Sequence, residues 1–211
     1  MTDTKIKICG ITNVEDAHLV LSLGVDYLGL IFADSPRRVD VPRAKEIREA
    51  VPDAMIIGVF IDAPLDAVVQ TASECGLNLI QLHGQESPEY CDELRTATGL
   101  PIIKAFKVSD MPDTQALGRY ETTSYFLFDL DKKAIESDEL PEMTTKLWKH
   151  TSKRRREGFR IFIAGALDAS TVREAVRKTR AYGVDVCRGV ERSPGLKDHE
   201  ALKEFIAEVQ R

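Results

Sequence analysis

Cysteine and histidine are both scarce in this chain, four of each in 211 residues. Cys9, Cys75, Cys91 and Cys187 form no CxxC pair, and His18, His83, His150 and His199 show no HxH or HExxH spacing. No metal site is therefore expected. Unpaired thiols suit a reducing compartment, where they persist as free cysteines. Long apolar runs are absent too, and none approaches the roughly 20 residues that span a bilayer. The opening "MTDTKIK" lacks the apolar core of a signal peptide. These absences together point to a cytoplasmic protein without a membrane partner. Charge of one sign is not in excess either: a net charge of -5 gives no general attraction to nucleic acid. Lys153-Arg154-Arg155-Arg156 is a local exception, expected as a solvated helix end or loop.

What the sequence does contain is a rhythm. Short runs rich in Val, Ile and Leu fall at Lys5 to Cys9, Tyr27 to Phe32, Met55 to Phe60, Leu77 to Leu82, Ile102 to Phe106, Tyr125 to Phe128, Arg160 to Ala164 and Val184 to Val186. Amphipathic stretches separate them. Asn13 with Glu15 and Asp16 offers an N-cap and an acidic first turn, and Gly24 stops the helix that follows. Pro42 to Ala50, Pro64 to Cys75, Pro88 to Ala97, Ala169 to Arg180 and a last helix from His199 to Val209 repeat the pattern. Proline suits a first helical turn because its missing N–H would have no partner there. Strand followed by helix, eight times, predicts a single (β/α)8 TIM barrel over residues 1–211. A doubly wound open sheet is the competitor, but no G-x-G-x-x-G follows the first strand. No linker or composition shift marks a second domain.

In such a barrel the working groups stand where strands end. Cys9 closes the first strand and is followed by Gly10. Its ordinary reading is a small buried hydrophobe. At the barrel mouth, a nearby cation or helix N-terminus would make it a thiolate, able to accept a proton or attack a carbon. Asp129 closes the apolar run "SYFLFD", either as a helix cap or as an acid that the apolar barrel end keeps protonated. Arg38 in "SPRRVD" presents a planar donor fork to a carboxylate or phosphate. Arg37 is expected to point the other way. Gly165 and Cys187-Arg188-Gly189 follow the last two strands, where turns and a helix N-terminus hold phosphate in this fold.

Taken in order, "KICGITNVEDA", "GLIFADSPRRV", "GVFID", "LNLIQLHGQE", "FLFD", "AGALDASTVREA" and "GVDVCRGVERSPGLKDHEALKEFI" resemble the phosphoribosylanthranilate isomerases of tryptophan biosynthesis over nearly the whole chain. The resemblance implies an Amadori rearrangement of a phosphosugar aminoaldose, carried out without a cofactor by a monomer or homodimer. It places the general base on Cys9 and the general acid on Asp129. It assigns the substrate carboxylate to Arg38 and the phosphate to the turns at Gly165, Ala166, Arg188 and Gly189. Gln81 and His83 of "QLHG" join the substrate-binding set.

Some positions depart from that pattern. The resemblance leads one to expect a glycine-rich loop after Asp129, whereas no glycine occurs from Arg119 to Glu157. Asp131, Lys132 and Lys133 are the groups there that can replace it, and Trp148 is the remnant of an aromatic pair. Gly165-Ala166 stands for two glycines, and Cys187-Arg188 for two serines. Arg188 either adds a charge to the phosphate cradle or fills it. Two readings follow: an active isomerase with a rebuilt lid, or a non-catalytic paralogue that binds a phosphorylated small molecule. A histidine-pathway isomerase is disfavoured, because that class uses paired aspartates.

Overall fold

Strands covered on both faces read as near-continuous apolar runs, and here the two faces sort into separate cores. The computed structural model describes residues 4–211. Its strands β1 Lys5–Cys9, β2 Tyr27–Ile31, β3 Ile56–Phe60, β4 Leu79–Leu82, β5 Ile102–Lys107, β6 Tyr125–Asp129, β7 Ile161–Ile163 and β8 Gly183–Val186 are all parallel. They pair in chain order and close into a barrel, β8 against β1. The helices are α1 Val14–Ser22, α2 Val41–Ala50, α3 Leu65–Glu74, α4 Pro88–Thr98, α5 Thr114–Gly118, α6 Lys132–Ile135, α7 Leu140–Arg156, α8 Val172–Thr179 and α9 His199–Gln210.

The expected strands all form, with ends that move by a residue or two. The helix expected from Ala169 begins later because the Asp168 carboxylate accepts from the N–H groups of Ser170 and Thr171, holding a capped turn there. A hairpin of β9 Glu191–Ser193 and β10 Leu196–Lys197 follows the barrel, without an expectation from the sequence. Among the described residues, no helix is long and apolar enough to cross a membrane.

Alternation decides which side chains line the site. Ile6, Ile8, Leu28, Leu30, Ile80, Phe126 and Phe128 face outward into the core beneath the helices, with Cys75 and Cys91 buried among them as packing residues. Tyr27, Ile57, Leu79, Ile103, Leu127 and Phe162 form the inner core. Tyr125, Phe162 and Tyr182 pack ring to ring in the inner core, with centroids 5.0 to 5.7 Å apart. Lys7, Cys9, Gln81 and Asp129 share the inward parity nearer the C-terminal ends of their strands.

Candidate active site

Lys7 is fully buried inside the barrel, and its ammonium pairs with Asp185 Oδ2 at 2.8 Å. A Cβ placed on Gly29 would come within 2.8 Å of Cys9 Sγ and 3.2 Å of Lys7 Nζ, so the sulfur and the ammonium share the space that this glycine leaves. Burial raises the Cys9 thiol above its ordinary range, Lys7 pulls it down, Asp185 pushes it up and Lys197 lowers it again. Burial works against the charge on Lys7, yet Asp185 and the thiol hold it raised and protonated. The second carboxylate oxygen of Asp185 is buried without a hydrogen-bond partner among the described residues.

Asp129 ends β6 on the same inward parity. Its Oδ1 accepts from the Leu130 N–H at 2.8 Å, and its Oδ2 lies 3.5 Å from His83 Nε2. Gln81 Nε2 donates to His83 Nδ1 at 3.0 Å, which leaves the other imidazole nitrogen as the N–H that faces the carboxylate. Gln81, His83 and Asp129 therefore form one polar chain between β4 and β6. The Asp129 side chain is 24% exposed and meets an imidazole as well as the apolar end of the barrel.

The two arginines after β2 divide, but it is Arg37 that is part-buried and paired, a role the sequence did not suggest. Arg37 makes a bidentate pair with Glu191, from Nε and Nη2 at 2.9 and 2.7 Å. Glu191 also accepts from Lys197 Nζ at 3.1 Å and the Gly195 N–H at 3.2 Å. Burial works against the Glu191 carboxylate, but these cations hold it below its usual range. Arg37 thus clamps the β2 loop to the hairpin after β8. Arg38 is exposed and has no ion-pair partner among the described residues; its backbone bridges to Ile31.

After β7, Gly165 has φ +86, and a Cβ there would meet the Leu130 backbone nitrogen at 2.7 Å. Ala166 follows in the same left-handed region, at φ 52. After β8, a Cβ on Gly189 would lie 2.0 Å from the Leu167 carbonyl oxygen, so only glycine lets the two turns approach. Arg188 and Gly189 are exposed beside this approach. The turn set expected to hold phosphate is therefore brought together from two loops.

The segment after Asp129 forms no glycine-rich loop. Asp131 accepts from the N–H and hydroxyl of Ser109, at 3.0 and 3.1 Å, which ties it to the loop after β5. Lys133 is exposed, and the Lys132 side chain lies outside the described residues. Trp148 sits on α7 under the ammonium of Lys178, 5.3 Å from the ring centroid. The basic run closes α7, but only in part as a solvated end. Arg154 is buried and paired with Glu157, and Arg155 donates to the carbonyls of Arg180 and Phe159.

Lys7, Asp185, Lys197, Glu191 and Arg37 had no assigned place in the site. A signal for Lys7 exists in "KIKIC", where the lysine takes the same alternating position as Cys9. Its partner stands 178 residues away, and no local pattern links them.

Comparison with known proteins agrees across the whole chain. A family model described as N-(5'phosphoribosyl)anthranilate (PRA) isomerase matches residues 6–208. An N-(5'-phosphoribosyl)anthranilate isomerase from Geobacter sp. (strain M21) is 41% identical over 210 residues, covering 99% of this chain and 98% of its own length. One from Bacillus cereus (strain B4264) is 38% identical and covers 98% of both chains. The crystal structure of phosphoribosyl anthranilate isomerase from Thermotoga maritima superposes with a TM-score of 0.87 at 31% identity, over 98% of each chain. A phosphoribosyl anthranilate isomerase in complex with reduced 1-(o-carboxyphenylamino)-1-deoxyribulose 5-phosphate gives a TM-score of 0.77 at 29% identity, again over 98% of each chain.

Proposed function

The chain belongs to the N-(5'-phosphoribosyl)anthranilate isomerase family, and on that premise we propose that Cys9 and Asp129 are the base and acid of its Amadori rearrangement. The protein is an isomerase of tryptophan biosynthesis. It converts N-(5'-phosphoribosyl)anthranilate, an aminoaldose, to the corresponding aminoketose. Asp129 protonates the ribose ring oxygen, and the ring opens to an iminium with the positive charge on nitrogen. The Cys9 thiolate then removes the proton from C2'. The resulting enolamine tautomerises to the ketone. The nitrogen already on C1' takes up the electron pair, so the base needs to be only moderately strong.

The single observation that carries this reading is the shared placement of the two groups. Cys9 and Asp129 both face inward at the C-terminal ends of strands of one closed barrel. Lys7 supports the thiolate, and His83 orients the carboxyl. Arg38, free of any ion-pair partner among the described residues, meets the anthranilate carboxylate. The N–H groups around Gly165, Ala166 and Gly189, with the charge of Arg188, take the phosphate.

Growth of a tryptophan-requiring strain that lacks this step is the direct test. The parent gene should restore growth, while Cys9→Ala and Asp129→Asn should not. Rescue by either variant at the parental rate removes that residue from its role. Failure of the parent to rescue, with tight binding of a phosphate ester by calorimetry, favours a binding protein instead.

A further inference from the structure

We propose that Cys9 and Cys187 form a reversible disulfide across the seam where the barrel closes, and that this bond switches the isomerase off. The second half rests on the assignment of Cys9 as the base.

The register brings the two residues side by side. Lys7 pairs with Asp185 and Ile8 with Val186, and Cys9 and Cys187 are the next residues on each side, Cys187 just beyond the end of β8. Parallel neighbours lie about 4.8 Å apart, inside the range of roughly 4.4 to 6.8 Å between Cα atoms that a disulfide bridges. One ammonium confirms the closeness of the backbones: Lys197 Nζ reaches the Cys9 carbonyl at 2.6 Å and the Cys187 carbonyl at 3.5 Å. Two glycines make room for the sulfurs. A Cβ on Gly29 would lie 2.8 Å from Cys9 Sγ, and one on Gly10 would lie 2.9 Å from Cys187 Sγ. The other two thiols, Cys75 and Cys91, are buried under the helices and belong to the outer core.

The two thiols differ in a way that gives each a part. Burial pushes the Cys187 thiol up to about 12, and among the charged neighbours Cys9 contributes most to that rise. Cys9 has the Lys7 ammonium beside it, which works against the rise that burial causes, and it is the thiol assigned to meet the oxidant first. With hydrogen peroxide as oxidant, the Cys9 thiolate attacks one peroxide oxygen. The S–O bond forms, the O–O bond breaks, and hydroxide leaves. Cys187 then gives up its contact with Glu191 Oε1, 3.7 Å away, and its sulfur attacks the sulfenic sulfur. The S–S bond forms and the S–O bond breaks. The departing hydroxyl takes the thiol proton and leaves as water. Two electrons pass from the two sulfurs to one peroxide. A dithiol reductant reverses the step by exchange.

The test is mild hydrogen peroxide treatment of the reduced protein, alkylation of the remaining thiols, and mass spectrometry of the tryptic peptides without reduction. The expected product joins the peptides that hold residues 9 and 187. Isomerase activity should fall at least about tenfold in step with that product, and dithiothreitol should restore both. In Cys187→Ser the cross-link should vanish, and the activity lost to peroxide should no longer return, because Cys9 passes on to higher oxidation states. Absence of the 9–187 linkage from the oxidised parent overturns the proposal, as does linkage mainly through Cys75 or Cys91. Full 9–187 linkage with an intact isomerase rate leaves the bond standing but refutes the switch, and with it the assignment of Cys9 as the base.

Discussion

At Cys9, burial and a buried cation oppose one another. Burial raises the thiol and Lys7 lowers it, with a net rise. A base that must be a thiolate then works better as pH rises, so kcat/KM should climb through and above the ordinary thiol range. Replacing the cation removes the stabilisation of the thiolate, so Lys7→Met should move that limb to higher pH, by on the order of one unit or more. The rate at which iodoacetamide alkylates Cys9 should shift in parallel, without reference to turnover. The same change leaves Asp185 buried and unpaired, at about 3–5 kcal/mol of stability, which urea unfolding measures. A limb that stays in place in Lys7→Met would exclude the cation from the chemistry. Arg38 offers a separate case, since no ion pair competes for its guanidinium among the described residues. Arg38→Ala should raise KM by about tenfold to several hundredfold, as expected for a charged hydrogen bond worth roughly 1.5–3 kcal/mol. An unchanged KM would remove its role.

Among the elements, the turn between β7 and α8 holds a measurable strain. Ala166 carries a Cβ at φ 52, where a left-handed residue other than glycine costs about 1–2 kcal/mol. Relief of that strain is partly offset by the greater entropy that glycine loses on folding, so Ala166→Gly should gain about 0.5–1 kcal/mol and raise Tm by roughly 1–4 °C. A lower Tm would place another constraint on that turn. α7 shows why the segment after Asp129 was not legible. Only Leu147, Thr151 and Arg154 of its 17 residues are buried, too few to produce a clear apolar period. Arg154 is buried rather than solvated because α7 packs onto β6 and β7, and it pairs with Glu157 one turn further along the same helix end. The turns after β7 and β8, proposed to take the phosphate, were singled out by their place after the last two strands and by their glycines. Their mutual approach, down to the Leu167 carbonyl beside Gly189, depends on both loops at once.

For the molecule as a whole, closure of β8 on β1 is the step that makes the site. Gly183 pairs with Lys5 at that seam, and a Cβ there would meet Phe162 at 2.5 Å and the Lys5 carbonyl oxygen at 2.9 Å. Gly183→Val should therefore cost about 3 kcal/mol or more, seen as an earlier urea midpoint. Gly118 in α5 has nothing within 4 Å of its Cβ position, and Gly118→Ala should instead gain up to about 1 kcal/mol. Equal midpoints for the two variants would show that closure does not depend on the missing side chain. Residues distant in sequence acquire their partners as the barrel closes: Lys7 with Asp185, and Arg37 with Glu191.

From the sequence alone came the eight strands and the placement of Cys9 and Asp129 at strand ends, where the proposed site lies. Those properties are periodic and local, so neighbouring residues suffice to carry them. The tertiary structure decided which buried charge meets which, that Arg37 is a clamp while Arg38 has no ion-pair partner among the described residues, and that one lysine, Lys197, reaches the carbonyls of both Cys9 and Cys187. Such pairings depend on how the barrel closes, and no stretch of neighbouring residues encodes a contact made across 150 or more positions.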